Sequence, residues 1–388
     1  MKENISTINY LLKTAKWLIP AIAFIFIMSA LFSEIQKGVE DIEKNKGKEK
    51  ESEIKIIEEN LKGDKDLIEK AKDEIKEPEV LIPKKEEVRE VEVLLPEGTD
   101  RFIVYLNTDN SVVSDNLDSG DYLKDKNKFL SILKSDKKEI MPGAYKISKE
   151  MTDEQLVKVF SGAPYMKWVT IKPGLRKEEI AEILSTNLGW NNTQKNDWIN
   201  KDTVISPEYT EGVYYPDTYL IPTEEEPALV AKRLINKFNE KFSDYLSQFT
   251  SKNIKWARAL TLASIVQREA SNNQDMPLIA GILWNRLEQN MALGVDATLQ
   301  YLRGDKGNGW WAPISVSEKL IDSPFNTYKY KGLPPHPISN PDISAIEAVL
   351  NPAETECMYY IHDKNRNTHC AVTYEEHILN IQKYLIGE

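Results

Sequence analysis

Residues 256–270 read WARALTLASIVQREA, and the rest of the chain is read outward from them. Apolar residues occupy nearly every side of a 3.6-residue spiral, which predicts a helix buried all round. At ~100° per residue, Glu269 continues the line of Leu262, Ile265 and Val266, while Gln267 and Arg268 point elsewhere. A carboxyl group that ends an apolar stripe loses hydration, so it can hold a proton near neutral pH. Glycosidic cleavage requires such a group, because the leaving oxygen must be protonated as its bond breaks. Spacing alone leaves a second reading open, a glutamate at a helix end that is solvated or paired with Arg258 or Arg268.

Downstream, Asp275 and Pro277 start a second amphipathic helix through Ile279, Ile282, Leu283 and Leu287, which carries Asn285-Arg286-Leu287. Residues 291–301, MALGVDATLQY, then place polar side chains at Asp296, Thr298, Gln300 and Tyr301, where a groove for sugars would need them. The alternative is that Asp296 caps a helix running through Tyr301. The loops at 323–328 (SPFNTY) and 332–337 (GLPPHP) are rigid and aromatic-rich, and loops of that kind often carry sites. Further on, Cys357 to His362 and Thr368 to Thr373 read as a hairpin across Asp363-Lys364-Asn365-Arg366-Asn367. A turn centred on Asn365 sets Tyr360 opposite Cys370 and Thr373 opposite Cys357. The sulfurs would then lie on opposite faces and out of register, so two free thiols are expected.

Upstream, Arg101 to Leu106 is a β-rich run, and Met141-Pro142-Gly143 turns into a strand ending at Ile147. Thr152, with Gln155 three residues on, predicts a capping box for a helix to Phe160. Lys167 to Lys172 is strand-like, Pro173-Gly174 turns, and Lys177 to Leu188 is amphipathic. A helix from about Pro227 to Phe242 joins this part to the last region, from 253 to 388. Mixed helices and strands make the fold class α+β.

The chain has 388 residues, enough for two or three domains. Its 61 acids and 50 bases give a net charge of −11, which argues against a nucleic-acid binder with a broadly basic face. Two cysteines and four histidines, with no CxxC or HExxH, leave little for a metal site, and no Walker A or GxGxxG pattern occurs. No cofactor is expected. Residues 17–33, WLIPAIAFIFIMSALFS, carry no charge and are read as a membrane helix. Lys2, Lys13 and Lys16 before them leave residues 1–16 cytoplasmic. A cleaved signal peptide is the alternative, but the run is long for one and ends in a poor small-x-small site. Residues 34–92 hold 20 acids and 14 bases and read as a solvated, partly helical or disordered stalk. Ile54, Ile57, Leu61, Ile68, Ala71 and Ile75 fall on a heptad grid broken by Asp64, so a dimerising coil is the alternative.

Seven segments in order give the chain a resemblance to the membrane-anchored endolytic murein transglycosylases, the MltG or YceG-like family. They are IMPGAYKI (140–147), EGVYYPDTY (211–219), ASIVQREA (263–270), NRL (285–287), residues 291–301, SPFNTY (323–328) and GLPPHPISNP (332–341). The sequence departs from the family pattern at Gln267, Ala297, His336 and Cys370. The resemblance implies a LysM-like module at 93–165, a linking α/β subdomain at 166–252 and a YceG-like catalytic domain at 253–388. Because the first acid of the ASIVEKE-type motif is Gln267 here, the acid/base role falls to Glu269.

The reaction so implied cuts the bond between N-acetylmuramic acid and N-acetylglucosamine inside glycan strands without water. It leaves a 1,6-anhydro end. Asn285, Asp296, Thr298, Gln300, Tyr301, Asn326 and Tyr328 are the groove candidates, with Glu211, Asp217 and Tyr219 a second tier that serves either substrate or scaffold. The implied partners are peptidoglycan strands, the cytoplasmic membrane and a peptidoglycan synthase, with the enzyme held in the cell membrane as a terminase of glycan elongation. Two rival readings are a non-catalytic peptidoglycan-binding scaffold and a hydrolytic muramidase with Asp296 as its base.

Overall fold

Strand β1 (Asp100–Val104) lies antiparallel to the later strand that Met141-Pro142-Gly143 leads into. Two helices connect them, α1 (Asn110–Ser119) and α2 (Lys126–Ser135), opened by the side chains of Asp109 and Asp125, which accept backbone N–H groups of the first turns. Strand β2 (Gly143–Ile147) then sets Tyr145 opposite Phe102 and Gly143 opposite Val104. Gly143 has φ of 150°, and a Cβ there would sit 2.5 Å from the Met166 carbonyl oxygen, so only glycine fits. Helix α3 (Asp153–Phe160) starts on the expected Thr152/Gln155 capping box. Val113, Leu117, Phe129, Leu133, Tyr145, Leu156 and Phe160 pack into a first core of their own.

The structure is a computed structural model and describes residues 95–204 and 211–387. The membrane helix expected at 17–33 and the stalk expected at 34–92 lie outside the described residues. Among the described residues no helix is long and apolar enough to cross a membrane.

Strand β3 (Met166–Thr170) extends the sheet, touching β2 at the single pair Ala144 and Met166. Helix α4 (Lys177–Leu188) follows with the expected bounds, then the short α5 (Asn192–Asp197). Strand β4 (Thr218–Pro222), unforeseen in the sequence, pairs with β3 along its length, so the sheet order is β1-β2-β3-β4, antiparallel throughout. The Trp168 indole N–H donates to the Val104 carbonyl at 2.9 Å and ties the two halves of the sheet.

A second, larger core lies beyond this sheet. Helices α6 (Pro227–Phe242), α7 (Leu246–Ser251), α8 (Trp256–Glu269) and α9 (Met276–Glu288) surround it with α4, and α10 (Asp296–Arg303) and α11 (Ile343–Leu350) complete it. Every residue of α8 from Ala259 to Val266 is buried, as an all-round apolar helix must be. Leu184, Leu234, Leu262, Ile265, Ile279 and Val349 belong to this core, so the segments 166–252 and 253–388 share one interior.

The C-terminal hairpin is β5 (Tyr359–His362) with β6 (Thr368–Ala371), followed by α12 (Tyr374–Ile381). Tyr360 faces Cys370 in the ladder, the expected register. The expectation of free thiols is nevertheless overturned: Cys357 and Cys370 form a disulfide, with Cα atoms 5.9 Å apart. The strand is shorter than the sequence suggested. It begins at Tyr359, so Cys357 lies outside the ladder and the alternation of faces does not bind it. The Cys357 N–H turns instead to Thr355 Oγ1, and its carbonyl accepts from Asn285.

Candidate active site

Helix α8 delivers Glu269 at its last turn, and the chain leaves the helix at Ala270 in an extended conformation. The side chain is partly buried, and the Tyr360 hydroxyl of β5 donates to its Oε2 at 2.7 Å. Burial raises the Glu269 pKa above the ordinary carboxyl range. The Tyr360 hydrogen bond opposes the rise, the charge of Asp296 adds to it, and His362 and Arg268 pull against it. A carboxyl in this balance can give a proton and take one back.

Asp296 is the first residue of α10, with Val295 in the cap position, so it does not cap the helix. It accepts from the Tyr328 hydroxyl instead, and Lys319 lies 3.6 Å from it. The Lys319 ammonium also donates to the Tyr328 oxygen at 3.0 Å and sits over that ring. Burial, then the Asp296 contact, holds the Tyr328 phenol well above its usual pKa. Arg286 on α9 donates to the Met358 carbonyl at 2.6 Å and to the Leu293 carbonyl, with the Tyr359 and Tyr360 rings beside its guanidinium. It therefore clamps the hairpin to the segment entering α10. Asp275 accepts from Thr368 at 2.7 Å and lies 3.3 Å from the His362 ring nitrogen. Burial pushes the Asp275 pKa up, but the hydrogen bonds from Thr368, Asn272, Ser271 and His362 outweigh it and leave it lowered.

An aromatic wall stands on the other side of α8's end. The Arg268 guanidinium lies 3.8 Å from the Trp311 ring centre, and the Trp311 indole donates to Glu179. The Arg176 guanidinium lies over the rings of Tyr301 and Trp310, the Phe325 ring is tilted against Tyr301, and His336 packs edge-on to both Tyr301 and Phe325. His336, one of the four departures from the family pattern, thus belongs to the wall.

The structure separates the sequence candidates into two groups. Glu269, Asp296 and Tyr328 come together, and Tyr301 stands in the adjoining wall. Thr298 and Asn326 do not line a groove: both are fully buried. The Thr298 hydroxyl donates to the Val295 carbonyl, and the Asn326 amide donates to the carbonyls of Lys319 and Ile321. Asn285 and Gln300 likewise spend their amides on backbone, at Thr355 and Cys357 and at Trp311 and Ala312. Tyr219 is buried against the Tyr215 carbonyl, and Asp217 hydrogen-bonds the neighbouring Thr218 N–H.

Glu211 is fully buried and belongs to the scaffold. It accepts the Lys177 N–H and the Asn340 amide, and Asn340 also reaches the Leu175 carbonyl and the Tyr214 N–H. Gly212 beside it has φ of 90°, where an added Cβ would press on Pro337 at 2.8 Å. Two of the motifs and the segment entering α4 therefore meet in one buried polar knot.

Tyr360, His362, Asp275 and Lys319 are the site residues that sequence reasoning missed. The hairpin register held a signal for the first two, because Tyr360 and His362 share one face of β5.

The YceG-like family model matches residues 102–383. An endolytic murein transglycosylase of Bacillus subtilis is 28% identical over 265 residues, covering 63% of this chain and 72% of that protein. An endolytic murein transglycosylase of Streptococcus pneumoniae serotype 2 is 26% identical over 285 residues, and there the match spans about half of the relative, 51%, and 64% of this chain. The crystal structure of a yceG-like protein from Listeria monocytogenes shares the fold, with a TM-score of 0.52 at 24% identity over 73% of this chain and 99% of that one. A family match that takes in both cores and the whole constellation around Glu269 leaves one conclusion: the chain belongs to the YceG-like family.

Proposed function

We propose that this protein is a lytic transglycosylase of peptidoglycan that cuts within glycan strands, with Glu269 as its acid and base. The observation that carries the reading is a single desolvated carboxyl group at the end of a buried helix, held by a hydroxyl donor and facing polar side chains. The murein transglycosylases that this chain resembles supply the substrate class.

In the first step Glu269 gives its proton to the oxygen between N-acetylmuramic acid and N-acetylglucosamine as that bond breaks. The resulting carboxylate takes the proton of the muramyl C6 hydroxyl, whose oxygen closes on C1 to give the 1,6-anhydro ring. The carboxyl group ends as it began, and no water is consumed. Asp296 and Tyr328 border the reacting sugars, and the Tyr301 wall gives a planar surface on which a sugar ring can rest.

The arrangement β1-α1-α2-β2 around its own core supports a LysM-like, glycan-holding role for residues 93–165. The apolar run at 17–33 supports a single-pass anchor with catalysis outside the cell membrane, beside a synthase whose strands the enzyme would terminate. The disulfide fits that oxidising side.

Mass spectrometry of glycan digested by residues 93–388 tests the reading, with anhydro-muramyl ends from internal cuts as the expected product. The influence of Asp296 on Glu269 keeps a hydrolytic muramidase in view. Its product would carry a reducing muramyl end, one water heavier, and would overturn the non-hydrolytic mechanism. A protein that binds glycan and never cuts it would be the scaffold.

A further inference from the structure

We propose that Tyr360 is the positioning residue of this site, the group that fixes which oxygen of Glu269 carries the transferable proton. The inference rests on the reading of Glu269 as acid and base, and it is carried by geometry. The Tyr360 hydroxyl donates to Oε2 at 2.7 Å, and among the described residues no other group hydrogen-bonds the Glu269 carboxyl. With Oε2 engaged as an acceptor, the proton of the acid form belongs on Oε1, and Oε1 is the oxygen free to meet the glycosidic bond. The same oxygen then faces the C6 hydroxyl in the second step, so one rotamer serves both.

Tyr360 suits the task for two reasons. Its phenol pKa is pushed far up, by burial and then by the Glu269 charge, so it stays protonated and donating throughout the working range. Its backbone is held as well: it faces Cys370 in the ladder, three residues from the disulfide partner Cys357, and Arg286 grips the Met358 carbonyl close by. A donor on so restrained a strand cannot follow the carboxylate if that group rotates, so the carboxylate must adapt to the donor.

Several charged groups face Glu269 from the elements packed on it. Arg268 lies on α8, Asp296 on α10 with Tyr328 and Lys319 behind it, and His362 on β5 with Asp275 behind it. Arg286 on α9 reaches the site through the Tyr360 ring. Of the influences that keep Glu269 acidic, the Tyr360 hydrogen bond is the largest, and only burial outweighs it. Removing the hydroxyl therefore favours the protonated form.

The test compares the wild type, Tyr360→Phe, Glu269→Gln and a chain with 3-fluorotyrosine at position 360. The Glu269 carboxyl carbon is titrated by 13C NMR, and the pH dependence of glycan cutting is measured beside it. In Tyr360→Phe the Glu269 midpoint and the alkaline limb of the rate should both rise by about one pH unit. kcat should fall about tenfold while KM changes little, because the misplaced oxygen costs the reaction and spares binding. Fluorotyrosine is a stronger donor and should move both in the opposite direction. It retains the phenol, so it carries the test even if Tyr360→Phe fails to fold. A midpoint and limb that do not move, or that move the same way in both variants, overturn the inference. Cutting that survives Glu269→Gln would instead sink the functional reading, and the titration would still report on the hydrogen bond.

Discussion

Two glutamates, the partly buried Glu269 and the fully buried Glu211, show how differently one residue type can be used. Glu269 lies at the edge of the core with one oxygen open, and Glu269→Gln should keep the fold while cutting falls by ~10²–10⁴-fold or more, since one group serves both steps. Melting curves with turnover assays check both halves of that expectation. Glu211 is sealed off, and burial, reinforced by the charge of Glu178, raises its pKa from 4.5 to about 8. The folded chain thus binds the Glu211 proton more tightly than the unfolded chain does. Its contribution to stability is complete below about 4.5 and is lost as pH rises through about 8. The melting temperature of the wild type should fall across that window, and Glu211→Gln should flatten the fall. At this scale the desolvation of Glu269 was legible in the sequence because an apolar stripe points at it. The contact of Glu269 with Tyr360 was not, since it spans 91 residues. Thr298 and Asn326 were misjudged because periodicity reports the face of a side chain and says nothing of whether its partner is a sugar or a carbonyl.

The elements divide along the same physical line. Lys177–Leu188 and Pro227–Phe242 have the bounds expected from their amphipathic spacing. Helices α1 and α2 went unread because charged and polar residues dilute their apolar face, although Asp109 and Asp125 marked their starts. Helix α12 carries a capping box, Thr373 with Glu376, that was there to be seen. The cysteine prediction failed by two residues of strand length, with its register right. Alkylation of the denatured, unreduced protein should therefore add no label. Replacing both cysteines by serine should cost about 3 kcal/mol, the usual effect of closing a loop of this size, and should loosen amide protection first in β5 and β6. Gly143→Ala should cost about 2–3 kcal/mol, because the added Cβ meets the Met166 carbonyl and the Pro164 ring in a backbone conformation alanine resists. Chemical denaturation measures both.

At the scale of the molecule, the two hydrophobic cores are built from residues 104–160 and 169–350. The anchor proposed at 17–33 should therefore matter for location and not for chemistry. A chain without residues 1–37 should still cut isolated glycan, and a truncated protein that binds glycan yet never cuts it would show that those residues take part. The knot around Asn340 has a consequence in time. It joins positions 165 and 129 residues apart along the chain, and loops of that length close slowly. Tyr360 and the disulfide come later still. The first sheet and its helices can fold from residues 100–222, yet Glu269 meets its Tyr360 donor only once the β5–β6 hairpin packs against the end of α8. The order of folding thus keeps the proposed site incomplete until that hairpin docks.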